Sequence, residues 1–250
     1  MSKKVIATFP SRDELTGLIC PPATQSHVPI AHDKAVSMVE EGLSLWGMGI
    51  ESQRHELTHE GNRLFSVFNL LRESQDGTFR FAVGMRNAHD KSAAYGVCSG
   101  TSVMVCSNMQ FGGTITSSRR HTTNVMDDVV GMINGTIGQF VTGFDRREAY
   151  FNNMKKTEIV DGEANDLVIK ALDAGALPAS HIPKVLKEYR HPRHPEFKPR
   201  TAWSLYNSFT EVFKEDRSSN LPERGEALDR AFWRSNSGGL ATVGLSGLYH

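Results

Sequence analysis

Between Met85 and Asn108 two polar knots, Arg86-Asn87-Ala88-His89-Asp90-Lys91-Ser92 and Cys106-Ser107-Asn108, bracket two apolar, strand-like runs. An imidazole beside a carboxylate, with a thiol near in sequence, is the material of cysteine catalysis. That chemistry needs a thiolate stabilised by a neighbouring His or a helix N-terminus. His89, Asp90 and Cys106 are the candidates, with Cys98 as a second thiol. The same stretch suits a different task. Arg86 and Lys91, joined by Arg119 and Arg120, offer cations for phosphates, and Asn87, Ser92 and Asn108 offer hydrogen bonds to phosphates or bases. A purely structural role competes with both, because Asn, Asp and Ser bond their own backbone in turns and a buried His is commonly just hydrogen-bonded.

A more conspicuous string is His55-Glu56-Leu57-Thr58-His59, which matches HExxH. On a helix that spacing puts two imidazoles on one face to hold zinc, with the Glu as general base. Its flanks, Ile50–Arg54 and Arg63–Phe68, alternate as strands do, and Glu60-Gly61-Asn62 breaks the chain directly after His59. In a strand the two imidazoles stand about 13 Å apart, too far to grip one ion. Gly96, Gly100, Gly112 and Gly113 fit neither a Walker A loop nor a GxGxxG fingerprint. The residues therefore imply no metal and no cofactor.

The elements that must carry these residues follow from periodicity. Residues 1–31 hold four prolines and no sustained period, and predict an N-terminal arm. A short helix begins near Asp33, placed to cap it. The period then changes to two. Residues 45–58 and 63–71 flank the turn-like His59-Glu60-Gly61-Asn62 as a hairpin, and strands at 78–85 and 101–106 follow. From 123 to 157 Val125, Val129, Ile133, Ile137, Phe140 and Phe144 recur at helical steps and predict one long helix, with a bend or a close contact near Gly131, Gly135 and Gly138. Shorter helices are expected over 166–174, 180–189, 201–215 and 223–234, and 236–250 reads as a loose tail. The domain plan is an arm over 1–31, an α+β core over 32–160 and a helical region over 161–235.

The 250 residues carry 28 basic and 28 acidic side chains, so no global charge announces a nucleic-acid or membrane partner. One local surplus stands out: Lys184, Lys187, Arg190, Arg193, Lys198 and Arg200 face only Glu188 and Glu196. No apolar run approaches the roughly 20 residues that span a bilayer. Three cysteines without CxxC spacing fit reduced thiols in a cytosol, so a cytoplasmic location is expected.

The string Gly84–Ala94, followed by Val103-Met104-Val105-Cys106-Ser107-Asn108, resembles the signature of a phage- and plasmid-borne family classed as a domain of unknown function, family 932. Thr201–Glu211 resembles that family's "tryptophan, then Asn-Ala-Val-Thr-Glu" helix. The resemblance covers about residues 30–216, and a Gly often sits where this chain has Lys91. It implies a mobile-element origin and no established activity. The order helix, hairpin, two strands, long helix is also similar to the core of Redβ/Erf-type single-strand annealing proteins, which form rings and bind DNA in a basic groove.

The resulting expectation is an α+β fold: an antiparallel sheet of about four strands packed by one long helix, with a C-terminal helical region. The function expected is non-enzymatic binding and annealing of single-stranded DNA in recombination by a homo-oligomer, using Arg86, Asn87, Lys91, Ser92, Asn108, Arg119 and Arg120. The alternatives are a hydrolase or counter-defence factor acting on nucleotides through His89, Asp90 and Cys106, and a protein-binding inhibitor of a host system.

Overall fold

Alternation at period two over Ile50–Thr58, Arg63–Glu73 and Phe79–Ala88 builds β1, β2 and β3, and β4 (Tyr95–Val103) and β5 (Asn108–Arg119) complete an antiparallel sheet in the order β1-β2-β3-β4-β5. The computed structural model describes residues 7–104, 108–214 and 221–236, the side chains of 108–116 and 233–236 excepted. The described residues of 7–102 and 115–143 form one compact unit, and those of 103–114 and 144–236 a second.

In the first unit, register fixes which side chains share a face. Leu64 pairs with Asn87, Ser66 with Met85 and Phe68 with Val83, so these positions point the same way as His55, opposite Ser66 on β1. Two helices lie on that face, α1 (His32–Leu45) and α2 (Val125–Thr142). Phe81 meets Phe140 of α2 edge to face, with ring centroids 5.8 Å apart, and the buried Tyr95 hydroxyl donates to Ala35 O of α1. Gly42 of α1 lies against Ile133 of α2, where an added Cβ would stand 2.8 Å from Ile133 Cγ2.

Several boundaries differ from those expected. The fourth and fifth strands replace the one expected at 101–106; the sequence there is Gly-rich, which hides strand periodicity. The helix at 32 begins one residue before Asp33, with Ala31 at its cap position. The long stripe is two helices, because the chain breaks at Gly143 between α2 and α3 (Phe144–Lys156). The close contact expected near the glycines is real at Gly138, where a Cβ would meet Trp46 Cζ2 at 2.5 Å.

The second unit is built of α3, α4 (Asp161–Asp173), α5 (Ile182–Arg190), α6 (Ala202–Phe213) and α7 (Leu221–Asn236). Thr201, not a residue inside the helix, caps α6 by accepting from Ser204 N. Every residue of α6 is buried. A buried polar group ties three helices together: Arg147 Nη1 of α3 donates to Asp229 Oδ2 of α7 at 2.8 Å, and Tyr206 OH of α6 donates to Asp229 Oδ1 at 2.6 Å. Arg193 similarly bridges Glu188 of α5 and Glu211 of α6, which takes those charges out of the basic surplus seen in sequence. None of the described helices is long and apolar enough to cross a membrane.

Candidate functional site

In a meander of five strands, the ends of β1, β3 and β5 and the starts of β2 and β4 all fall at one end of the sheet. That end gathers the β1–β2 turn at 59–62, the β3–β4 turn at 89–94 and the link from β5 to α2 at 120–124. His32, at the start of α1, joins it by donating from Nε2 to Gly61 O at 2.9 Å.

Four buried histidines lie here, from four parts of the chain: His27, His32, His89 and His121. The rings of His32 and His89 stack with centroids 3.9 Å apart and planes within 9°, and those of His27 and His121 lie 5.3 Å apart. Period two explains the presence of His89, which continues the helix-facing row of Val83, Met85 and Asn87 beyond the end of β3. Asn87 organises the rest. Its Nδ2 donates to Ile30 O at 2.7 Å and reaches His32 Nδ1 at 3.0 Å. A carbonyl only accepts, so the amide nitrogen must face both atoms and His32 Nδ1 must be unprotonated. His89 Nε2 is the second donor to Ile30 O, at 2.8 Å.

All the shifts here disfavour the charged imidazole. Burial, then the charge of His89, pushes His32 down to about 4. Burial and His27 push His121 down to about 4 as well, against a weak opposing contact at Val28 that does not reach hydrogen-bond geometry. Burial lowers His89, with His27 adding to the effect and the Ile30 carbonyl and Asp90 opposing it. Neither ring nitrogen of His121 has a hydrogen-bond partner among the described residues, and His27 Nε2 has none. Among the described residues no three His, Cys, Asp or Glu side chains are arranged to hold a metal ion.

The turn beyond His89 is polar and displayed. Asp90 accepts from Ser92 N at 3.0 Å and from Arg63 Nε at 2.7 Å. Burial works against its carboxylate, but the bonds from Ser92 and Arg63 prevail and hold its pKa below the ordinary value. Lys91 and Ser92 are exposed, and Lys91 sits at φ 63°, in the left-handed region. Arg119 and Arg120 are exposed at the end of β5, where Arg119 pairs with Asp128 of α2.

The residues singled out in the sequence thus divide. Lys91, Ser92, Arg119 and Arg120 share one end of the sheet, as do His89 and Asp90. Arg86 is half-buried on β3 with its side chain against Gly96, and Asn87 is a buried scaffold residue. Asn108 opens β5, but its side chain and the whole of Cys106 lie outside the described residues. Cys98 is buried in β4, its thiol 3.6 Å from Gly84 O. In HELTH, His55 lies on a strand with Nδ1 2.8 Å from Ser66 Oγ, and His59 lies in the turn at φ 54°. Sequence reasoning missed His27, His32 and His121; the one available signal was the clustering of His27 and His32 five residues apart across the end of the segment read as an arm.

The family model for the domain of unknown function DUF932 matches residues 26–236, from just before His27 through the last described helix. The chain belongs to the DUF932 family. The match starts one residue before His27, so all four histidines of the cluster fall within the DUF932 domain. No curated protein and no solved structure gives a significant match. The likeness in element order to Redβ/Erf-type annealing proteins is therefore left without support.

Proposed function

We propose that this DUF932 protein binds single-stranded nucleic acid along the end of the sheet that carries Lys91, Arg119 and Arg120. The observation that carries the reading is the backbone of Lys91. A non-glycine residue at φ 63° costs roughly 1–2 kcal/mol, and a cation held there at that cost, exposed at the tip of a turn, is suited to a polyanion. The neighbouring cations are available. Arg63–Asp90 and Arg119–Asp128 are exposed ion pairs, of a kind worth about 0–1 kcal/mol, which a phosphate can replace. Both α1 and α2 begin at this end, adding the partial positive charge of their N-termini.

Phosphate contact by several cations gives binding that weakens steeply with salt. Titration of a labelled single-stranded oligonucleotide at rising salt tests this, and absence of binding at low salt rejects it. In the same reading the protein is a cytoplasmic homo-oligomer of phage or plasmid origin that anneals complementary strands. Native mass with and without the oligonucleotide, and an annealing assay, test those parts.

One observation favours a nucleotide hydrolase instead. His89 Nε2 is committed to Ile30 O, which leaves Nδ1 of the neutral ring as an unprotonated lone pair, and the Asp90 carboxylate acts electrostatically on the same ring. Turnover of a nucleotide that is lost in His89→Ala would support that reading, and equal turnover in the variant would remove it.

A further inference from the structure

The four histidines have a role distinct from binding a polyanion. The rings of His32 and His89, with backbone bonds and Asn87, hold the segment from Val28 to His32 against the sheet, and the rings of His27 and His121 pack together beside them. Val28 N donates to His121 O at 3.0 Å, Ile30 O accepts from Asn87 and His89, and His32 reaches Gly61 O. Ile30 itself is buried. We propose that His27, His32, His89 and His121 form an acid-sensitive latch, which fastens residues 27–32 to the end of the sheet while the rings are neutral and releases them when the rings take up protons.

The geometry makes protonation incompatible with closure. A proton on His32 Nδ1 would oppose the Asn87 N–H 3.0 Å away, and Asn87 cannot turn its oxygen toward the ring without losing its bond to Ile30 O. Charging both stacked rings would set two cations face to face at 3.9 Å. His27 and His121 are a second close pair. The carboxylates that face the cluster are few. Asp33 acts on His32, and Asp90 acts on His89 but is already engaged by Arg63 and Ser92. The depressed affinities of His32, His89 and His121 for protons agree with this, since a latch of neutral rings must resist protonation to stay shut.

Amide hydrogen exchange on the full-length protein tests the latch, read as protection factors so that the intrinsic effect of pH divides out. Between pH 7.5 and 4.5 the Val28 amide should lose at least tenfold and fall close to no protection, while amides of the β2–β3 ladder, Ser66 to Phe68 among them, stay protected and are lowered only as far as global stability falls. In His121→Gln and His89→Gln, whose side chains do not titrate, the differential loss should shrink. If a variant does not fold, the wild-type comparison of Val28 with the ladder still decides. Loss of all protection at Val28 and in the ladder together would mean global acid unfolding and would overturn the latch, as would a Val28 amide still protected at pH 4.5. Closure at pH 7.5 that requires added zinc would also overturn it, because the cluster would then be a metal site.

Discussion

Replacing Lys91 by glycine separates the backbone cost of this residue from the use of its charge. At φ 63° the lysine bears a left-handed penalty of roughly 1–2 kcal/mol that glycine escapes. Glycine in turn has more chain entropy to lose on folding, worth roughly 0.5–1 kcal/mol. The net expectation is a stabilisation of about 0.5–1 kcal/mol, or a rise of about 1–4 °C in Tm for a domain of this size. Lys91→Ala keeps the strained backbone and melts as the wild type does. Both variants lose one cation, so the slope of log affinity for single-stranded DNA against log salt should become shallower by about 0.7 in each. Calorimetry and fluorescence anisotropy at four or five salt concentrations measure the two quantities independently. A glycine variant that melts below the wild type would refute the strain argument. Wild-type affinity and slope in both variants would remove Lys91 from the interface.

Three further outcomes follow from the buried polar groups. Asn87→Ala should cost about 2–4 kcal/mol in denaturant unfolding, since it deletes a bond to Ile30 O and orphans the buried His32 Nδ1; a loss under 1 kcal/mol would contradict its role as the organiser of the cluster. With the pKa of His32 and of His121 near 4 in the folded chain against 6.5 when free, their contribution is complete above pH 6.5. It falls as pH drops toward 4, by roughly 2 kcal/mol for each group at pH 5. Urea midpoints at pH 7.5 and 5 measure this, and equal stability at both would exclude buried neutral rings. Asp229→Asn should destabilise the helical unit by about 3–5 kcal/mol, because Arg147 keeps a buried charge without its counter-charge; thermal unfolding within 1 °C of the wild type would show that Arg147 finds water instead.

Much of the scaffold was legible in the sequence. Alternation placed the hairpin across His59–Asn62, and three- and four-residue spacing found α1, α5, α6 and α7 to within a few residues. Strand context correctly argued that HELTH does not lie on a helix. Two features were hidden for physical reasons. The stripe of α2 continues in phase into Phe144, so a break that costs only one residue, Gly143, leaves the apolar period intact. The site was legible only in part, because polar residues in the 86–92 knot suit a ligand or a buried hydrogen bond equally, and their types do not say which. Lys91 and Ser92 are indeed exposed, whereas Asn87 and His89 face inward, matched there by groups on a segment 55 to 60 residues earlier. Periodicity reports local geometry, and nothing local to Asn87 announces Ile30.

The strand order has a consequence for how the chain is made. In a meander each strand pairs with the one just before it, so the sheet can zip up as synthesis proceeds, with short loops closing at little entropic cost. The segment around His27 breaks that pattern. It leaves the ribosome before the sheet, yet His121, whose carbonyl receives Val28, follows more than 90 residues later. At the about 5–20 residues per second of translation, Val28 spends several seconds or more without its mate, as does Gly42 of α1 before Ile133 follows it. That interval is when a chaperone, or a second nascent chain, would find this segment open.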